Sequence, residues 1–174
     1  TTAAATTTAA PTTTTTAAPT TTADPAAAAR VARISTAAAL AGTWEGEWRN
    51  TTFGSDGPID AEVTVNVEAA FALMTVDLGG FVFGADDPEP ATIEFDLVVP
   101  SPYETRFGVF GRVETDIAAD GSFTMVAADV PGDRIASMVV EGQITPTSLT
   151  ATYTIEFEGG GDPALGEVEV TKTG

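Results

Sequence analysis

The chain has 174 residues, and 25 acidic side chains against seven basic ones give it a formal net charge of −18. A surface of that sign repels phosphate backbones and anionic bilayers, because both are bound through clustered Lys or Arg, and a nucleic-acid partner is thereby excluded. Histidine and cysteine are both absent, which removes Ser-His-Asp and Cys-His nucleophilic systems, thiol redox centres, disulfides and ordinary zinc sites.

Residues 1–25 consist of 13 Thr, 8 Ala, 3 Pro and one Asp. Such a segment has nothing large and apolar to bury, and Pro11 and Pro19 interrupt any helix, so it cannot offset its ordering entropy. It reads as a low-complexity stalk. Thr with interspersed Pro and Ala is also the composition of O-glycosylated stalks. O-linked glycans are therefore expected on Thr6, Thr7, Thr8, Thr12, Thr13, Thr14, Thr15, Thr16, Thr20, Thr21 and Thr22; a bare flexible linker is the alternative. Either reading places the chain outside the cytoplasm, extracellular or at a cell surface, and the start without Met reads as a mature, trimmed N-terminus. No run reaches the roughly 18 consecutive apolar residues of a transmembrane helix, so no transmembrane span is expected.

Residues 26–42 form a connecting segment. Asp24-Pro25 is a helix start, with Asp able to cap free amides and Pro placed where its missing N–H costs nothing. The Ala-rich run that follows keeps Val31, Ile34 and Ala38 on one side at helical spacing and ends at Gly42, which predicts a short helix. An extended segment is the alternative, since Val31, Arg33 and Ser35 also fit one face of a strand.

From Thr43 to the end the apolar period becomes two. Trp44, Gly46 and Trp48 alternate with Glu45, Glu47 and Arg49, and Ile59, Ala61, Val63, Val65 and Val67 alternate with polar residues. Each run reads as a strand with one apolar and one wet face. Further strands are predicted over 71–78, 91–99, 105–117, 122–130, 137–144, 149–157 and 166–171. Turn chemistry separates them at Ser55-Asp56-Gly57-Pro58, Gly79-Gly80, Asp86-Asp87-Pro88, Pro100-Ser101-Pro102, Asp120-Gly121, Pro131-Gly132-Asp133 and residues 159–163. Asp120-Gly121 is the strongest hairpin signal and is expected as a type I′ turn. The fold class that follows is all-β, an antiparallel up-and-down β-barrel of 8–10 strands over residues 43–174, because closure removes exposed edges. A β-sandwich is the alternative.

Gly42-Thr43-Trp44 resembles the Gly-x-Trp that opens the first strand of lipocalins and their calycin relatives. The resemblance implies that Trp44 packs across the closed end of the barrel, beneath a basic residue from near the last strand, a part that Lys172 would take. The family's Thr-Asp-Tyr has only Thr115-Asp116-Ile117 as its counterpart, without the Tyr. More broadly, GTWEGEW and the final YTIEFEGGGDPALGEVEVTK hairpin resemble small bacterial envelope beta-barrels over roughly residues 42–172.

Little in the sequence marks chemistry. Asp86, Asp87 and Glu89 could offer oxygens to Ca2+, but they lack the ligand spacing of an EF-hand loop and read as a solvated loop. Asp129, Asp133 and Asp162 are similar turn acids. With 25 acids, no spacing distinguishes a catalytic carboxylate pair. An enzyme is not expected, and neither is a cofactor or a metal; an acidic glycan-active enzyme remains a minority reading. Arg106 and Arg112 are expected to pair across strands with Glu104 and Glu114.

Aromatic residues, from Trp44 through Trp48, Phe53, Phe71, Phe81, Phe83, Phe95, Phe107, Phe110, Phe123 and Tyr153 to Phe157, occur on nearly every strand. They either line an apolar ligand cavity or fill the interior, and a filled interior is the expectation. Phe81-Val82-Phe83 is apolar on both faces and reads as an interface patch. The leading functional expectation is accordingly a non-enzymatic extracellular structural module that forms a homo-oligomer or filament. Val31, Ile34, Leu40, Phe81 and Phe83 would carry its assembly contacts. The alternative is a lipocalin-like envelope protein holding a small apolar ligand.

Overall fold

A computed structural model describes residues 24–82, 85–128, 130–132 and 134–174. The threonines of the stalk, Phe83, Asp129 and Asp133 lie outside the described residues. The chain runs through a helix, α1 (Pro25–Leu40), and the strands β1 (Gly42–Asn50), β2 (Ser55–Asn66), β3 (Phe71–Leu78), β4 (Phe81–Val82), β5 (Ala85–Asp86) and β6 (Ala91–Asp96). It continues through β7 (Tyr103–Arg106), β8 (Arg112–Ile117), β9 (Ser122–Ala127), β10 (Ile135–Ile144), β11 (Ser148–Phe157) and β12 (Ala164–Lys172).

Among the described residues, ten strands form one antiparallel sheet in the order β6-β3-β2-β1-β12-β11-β10-β9-β8-β7, and β4 and β5 make a separate two-stranded hairpin. Strands follow one another in chain order around the sheet except that β3 pairs with β6 past the β4–β5 hairpin and β6 and β7 do not pair. The ends of the series meet, β1 pairing with β12 from Trp44 against Lys172 to Asn50 against Gly166. That pairing curls the meander into a nearly closed barrel and decides against a sandwich. The one seam lies between β6 and β7. There the Phe95 and Tyr103 rings meet edge to face, with centroids 5.5 Å apart, in place of a hydrogen-bond ladder.

The strand alternation positions the core. On β1, Trp44 and Trp48 point inward and are buried, joined by Ile59 and Val170. A second cluster of Phe110, Val113, Ala127, Met138, Ile155 and Ala164 fills the opposite wall. Helix α1 covers one end of the barrel. Asp24 caps it, its Oδ1 accepting from the Ala26 N–H at 2.9 Å. Ile34 and Ala37 pack on Ala70, Ala72 and Leu97, and Leu40 packs on the Trp44 cluster. Arg33 straps the helix down, its Nε donating to the Leu97 carbonyl at 3.2 Å and its Nη2 to the Val98 carbonyl at 2.9 Å.

Three local expectations are corrected. The run 105–117 is not one strand but the hairpin β7–β8, bent back by a 3-10 turn at Gly108–Phe110, with φ of 47° at Gly108 and 69° at Gly111. Ser55-Asp56-Gly57-Pro58 opens β2 rather than forming a turn. The reversal comes earlier, over 51–54, where Asn50 accepts Phe53 N–H through Oδ1 at 2.8 Å and Gly54 N–H through its carbonyl at 2.9 Å. Of Asp120-Gly121, only Gly121 carries a positive φ, 86°. Its N–H donates to the Ala118 carbonyl at 3.0 Å and Ala118 N–H donates to the Ser122 carbonyl at 2.8 Å, giving a type I turn closed by a left-handed glycine instead of type I′. Phe81-Val82 forms β4 of the small hairpin, in register with Ala85-Asp86, and Phe81 is exposed on it.

Candidate functional site

The two ends of the barrel differ. At the helix-covered end, Trp44 is 4% exposed and its Nε1 donates to the Leu40 carbonyl at 3.0 Å. Lys172, its cross-strand partner, donates from Nζ to the Ala39 carbonyl at 3.2 Å, so the cation sits against the C-terminal carbonyls of α1, where the helix dipole favours it. Gly42 has φ of 135°, and a Cβ there would lie 2.0 Å from the Gly174 carbonyl oxygen. Glycine is thus required at the start of the Gly-x-Trp, and the three motif residues Gly42, Trp44 and Lys172 stand together as the plug of this end.

The opposite end is open. Its mouth is built from the ends of β1, β3 and β11, the starts of β2, β6 and β10, the 3-10 turn and the β4–β5 hairpin. A cavity of about 1140 Å³ occupies it, at or above the roughly 300–1000 Å³ usual for small-molecule sites. The expectation of a filled interior is corrected here: the cavity opens beside the packed cluster of Phe110, Val113, Ala127, Met138, Ile155 and Ala164.

Trp48 forms part of the cavity wall. It lies over Gly57, its cross-strand partner, and its Nε1 donates to the Gly79 carbonyl at 3.0 Å, so its one polar atom is satisfied and the ring presents carbon to the cavity. Two ring pairs stand around it. Phe53 and Phe157 are tilted with centroids 6.2 Å apart, and Phe107 and Phe110 are stacked at 5.9 Å. Val76, Leu78, Val82, Ala91, Val130 and Ile135 complete the apolar wall. At the rim, Phe53 is 63% and Phe81 61% exposed. Polar side chains are few among the described lining residues: Asn50, Ser55, Glu89 and Arg134. Asn50 is 4% exposed, and its Oδ1 is committed to the Phe53 N–H. Burial pushes the phenol of neighbouring Tyr153 above its ordinary range, and Asn50 pulls it back more weakly.

The other singled-out residues are dispersed. Asp87 closes the β4–β5 hairpin, its Oδ1 accepting from Gly80 N–H at 2.9 Å, with φ of 47°. Among the described residues no three carboxylates gather as a metal ion would require. Arg112 pairs with Glu104 on the exposed outer face of the β7–β8 hairpin. Of the residues expected to carry assembly, Ile34 and Leu40 are occupied by the chain's own barrel, Val31 points outward at 65% exposure, and Phe81 belongs to the cavity rim. Asn50 and Arg134 were not signalled by the sequence, because membership of the mouth depends on which strand end a residue occupies.

No family model matches the sequence, and no curated protein matches it. Solved structures do resemble the fold. Rv2717c from M. tuberculosis aligns over 82% of this chain and 98% of its own, with 12% identity and a TM-score of 0.59. An S-type phycobiliprotein lyase, CPES from Guillardia theta, aligns over 83% of this chain and 96% of its own, with 12% identity and a TM-score of 0.48. At such identities the likeness is one of fold alone, an antiparallel β-barrel.

Proposed function

We propose that the chain is a lipocalin-like binding protein that holds a small, mainly apolar molecule in the mouth of its barrel. The observation that carries this reading is the cavity of about 1140 Å³, walled by aromatic and aliphatic side chains at the end away from α1. An apolar cavity of that volume releases water on binding an apolar guest, and few polar groups compete for it. The exposed rim phenylalanines fit the same reading, since an apolar lip lets a guest pass from its carrier phase without meeting a wet barrier. Assembly through α1 is the weaker reading, because Ile34 and Leu40 are already engaged within the chain. Residues 1–25 support an extracytoplasmic setting for such a protein.

Titration with environment-sensitive hydrophobic dyes tests the reading. The expected result is saturable binding near one per chain that Trp48→Ala alters and Val31→Ala does not. Binding that stays linear, or that is indifferent to Trp48, would overturn it.

A further inference from the structure

We propose that the cavity selects hydrophobic organic cations, an apolar chain or ring system ending in a charged nitrogen, over neutral or anionic molecules of equal size. This rests on the ligand-binding reading above and adds the sign of the ligand's charge. Six aromatic side chains, Trp48, Phe53, Phe81, Phe107, Phe110 and Phe157, line one cavity. Aromatic faces are electronegative, so a cation near them is attracted and an anion repelled. The paired arrangement, with Phe53 against Phe157 and Phe107 against Phe110, supplies ring surface from two parts of the wall.

The charged side chains of the described lining do not reverse this. They are Glu89 and Arg134, one of each sign. The remaining field is set by the whole chain, whose net charge is −18. Such a field raises the local concentration of cations and lowers that of anions at a cleft with low-dielectric walls. Rings and field therefore favour the same sign, and they do so by independent physics: one acts by contact, the other at distance and with salt dependence.

The test uses the full chain and three probes of one tail length, decyltrimethylammonium, decanol and decanesulfonate, each displacing a neutral hydrophobic dye at sub-micellar concentration. Decyltrimethylammonium should bind about tenfold tighter than decanol, the size expected of a few partly exposed cation–ring contacts, with one site per chain; decanesulfonate should bind weakest. The double variant Phe107→Leu/Phe157→Leu keeps the site apolar and should lower the affinity of the cation several-fold more than that of decanol. Arg134→Gln, on the exposed rim and independent of ring packing, should raise cation affinity about threefold by removing a like charge. Decanol or decanesulfonate binding as tightly as the cation would overturn the charge preference and leave the ligand site standing, as would equal losses for all probes in the double variant. Saturable binding by none of the three would overturn the ligand site itself.

Discussion

Tyr103 and Tyr153 are the two tyrosines of the chain, and both face the barrel interior. Burial pushes the Tyr103 phenol up, the Arg33 guanidinium draws it back and Asp96 adds to the rise; burial likewise raises Tyr153. For an acid whose folded value is raised, both states are neutral below the unfolded value of about 10, so nothing is lost there. Above about pH 10 the unfolded chain ionises first, and stability falls as pH climbs through the folded values. Ultraviolet titration of phenolate absorbance should thus give both midpoints above the common midpoint seen in strong denaturant, and urea unfolding should show stability declining over the same alkaline window. A native midpoint at or below the denatured one would show that these rings are not held in the interior. At this scale the sequence was readable for the plug, where Gly42, Trp44 and Lys172 carry a motif. It was silent on Asn50, whose burial follows from the reversal over 51–54, itself displaced from the apparent Ser55–Pro58 turn.

Strands show both the strength and the limit of reading by alternation. Period two located every large strand because each has one face in the core. It ran straight through 105–117, however, since Thr105, Val113 and Thr115 keep the same parity on either side of the Gly108–Phe110 turn. A hairpin whose loop preserves parity leaves no mark on the pattern, and only the flanking glycines hinted at it. Inward-facing glycines within the strands have a different task. Gly166 lies opposite Tyr153, and Gly142 opposite Phe123. A Cβ at 166 would sit 2.2 Å from Tyr153 Cζ and 2.3 Å from the Arg49 carbonyl oxygen. The missing side chain is what lets the Tyr153 ring lie down and β1 and β12 approach, which curves the sheet. Gly166→Ala should therefore destabilise by about 1–3 kcal/mol through overpacking, read as a lower urea midpoint at unchanged slope. An unchanged midpoint would mean that both the Tyr153 ring and the β1 backbone at Arg49 give way without cost.

At the scale of the whole molecule, alternation and turn spacing specified the meander, but closure hangs on β1 meeting β12, a contact between the two ends of the barrel sequence that no local signal announces. The cavity has the same origin: aromatic residues spread over many strands converge only after closure brings one set of strand ends together. Closure also gathers charge. With a net charge of −18 and the outward face of nearly every strand carrying Asp or Glu, the folded barrel concentrates repulsion that the expanded chain relieves. Only two ion pairs are formed among the described residues, Arg49 with Glu47 and Arg112 with Glu104, both exposed and worth little in compensation. Raising the ionic strength from about 0.01 to 0.15 M shortens the screening length from about 30 to 8 Å, which weakens this repulsion in the folded state more than in the unfolded one. The melting temperature at neutral pH should accordingly rise by several degrees across that NaCl range, whereas a neutral osmolyte at matched osmolarity should produce a smaller rise. Lowering the pH toward the isoelectric point of about 4.1 should abolish the salt effect, because the charge being screened has gone. A melting temperature that is flat in salt at neutral pH would mean that the outer carboxylates are spaced widely enough for water alone to screen them, and that the field invoked for ligand selection is correspondingly weak.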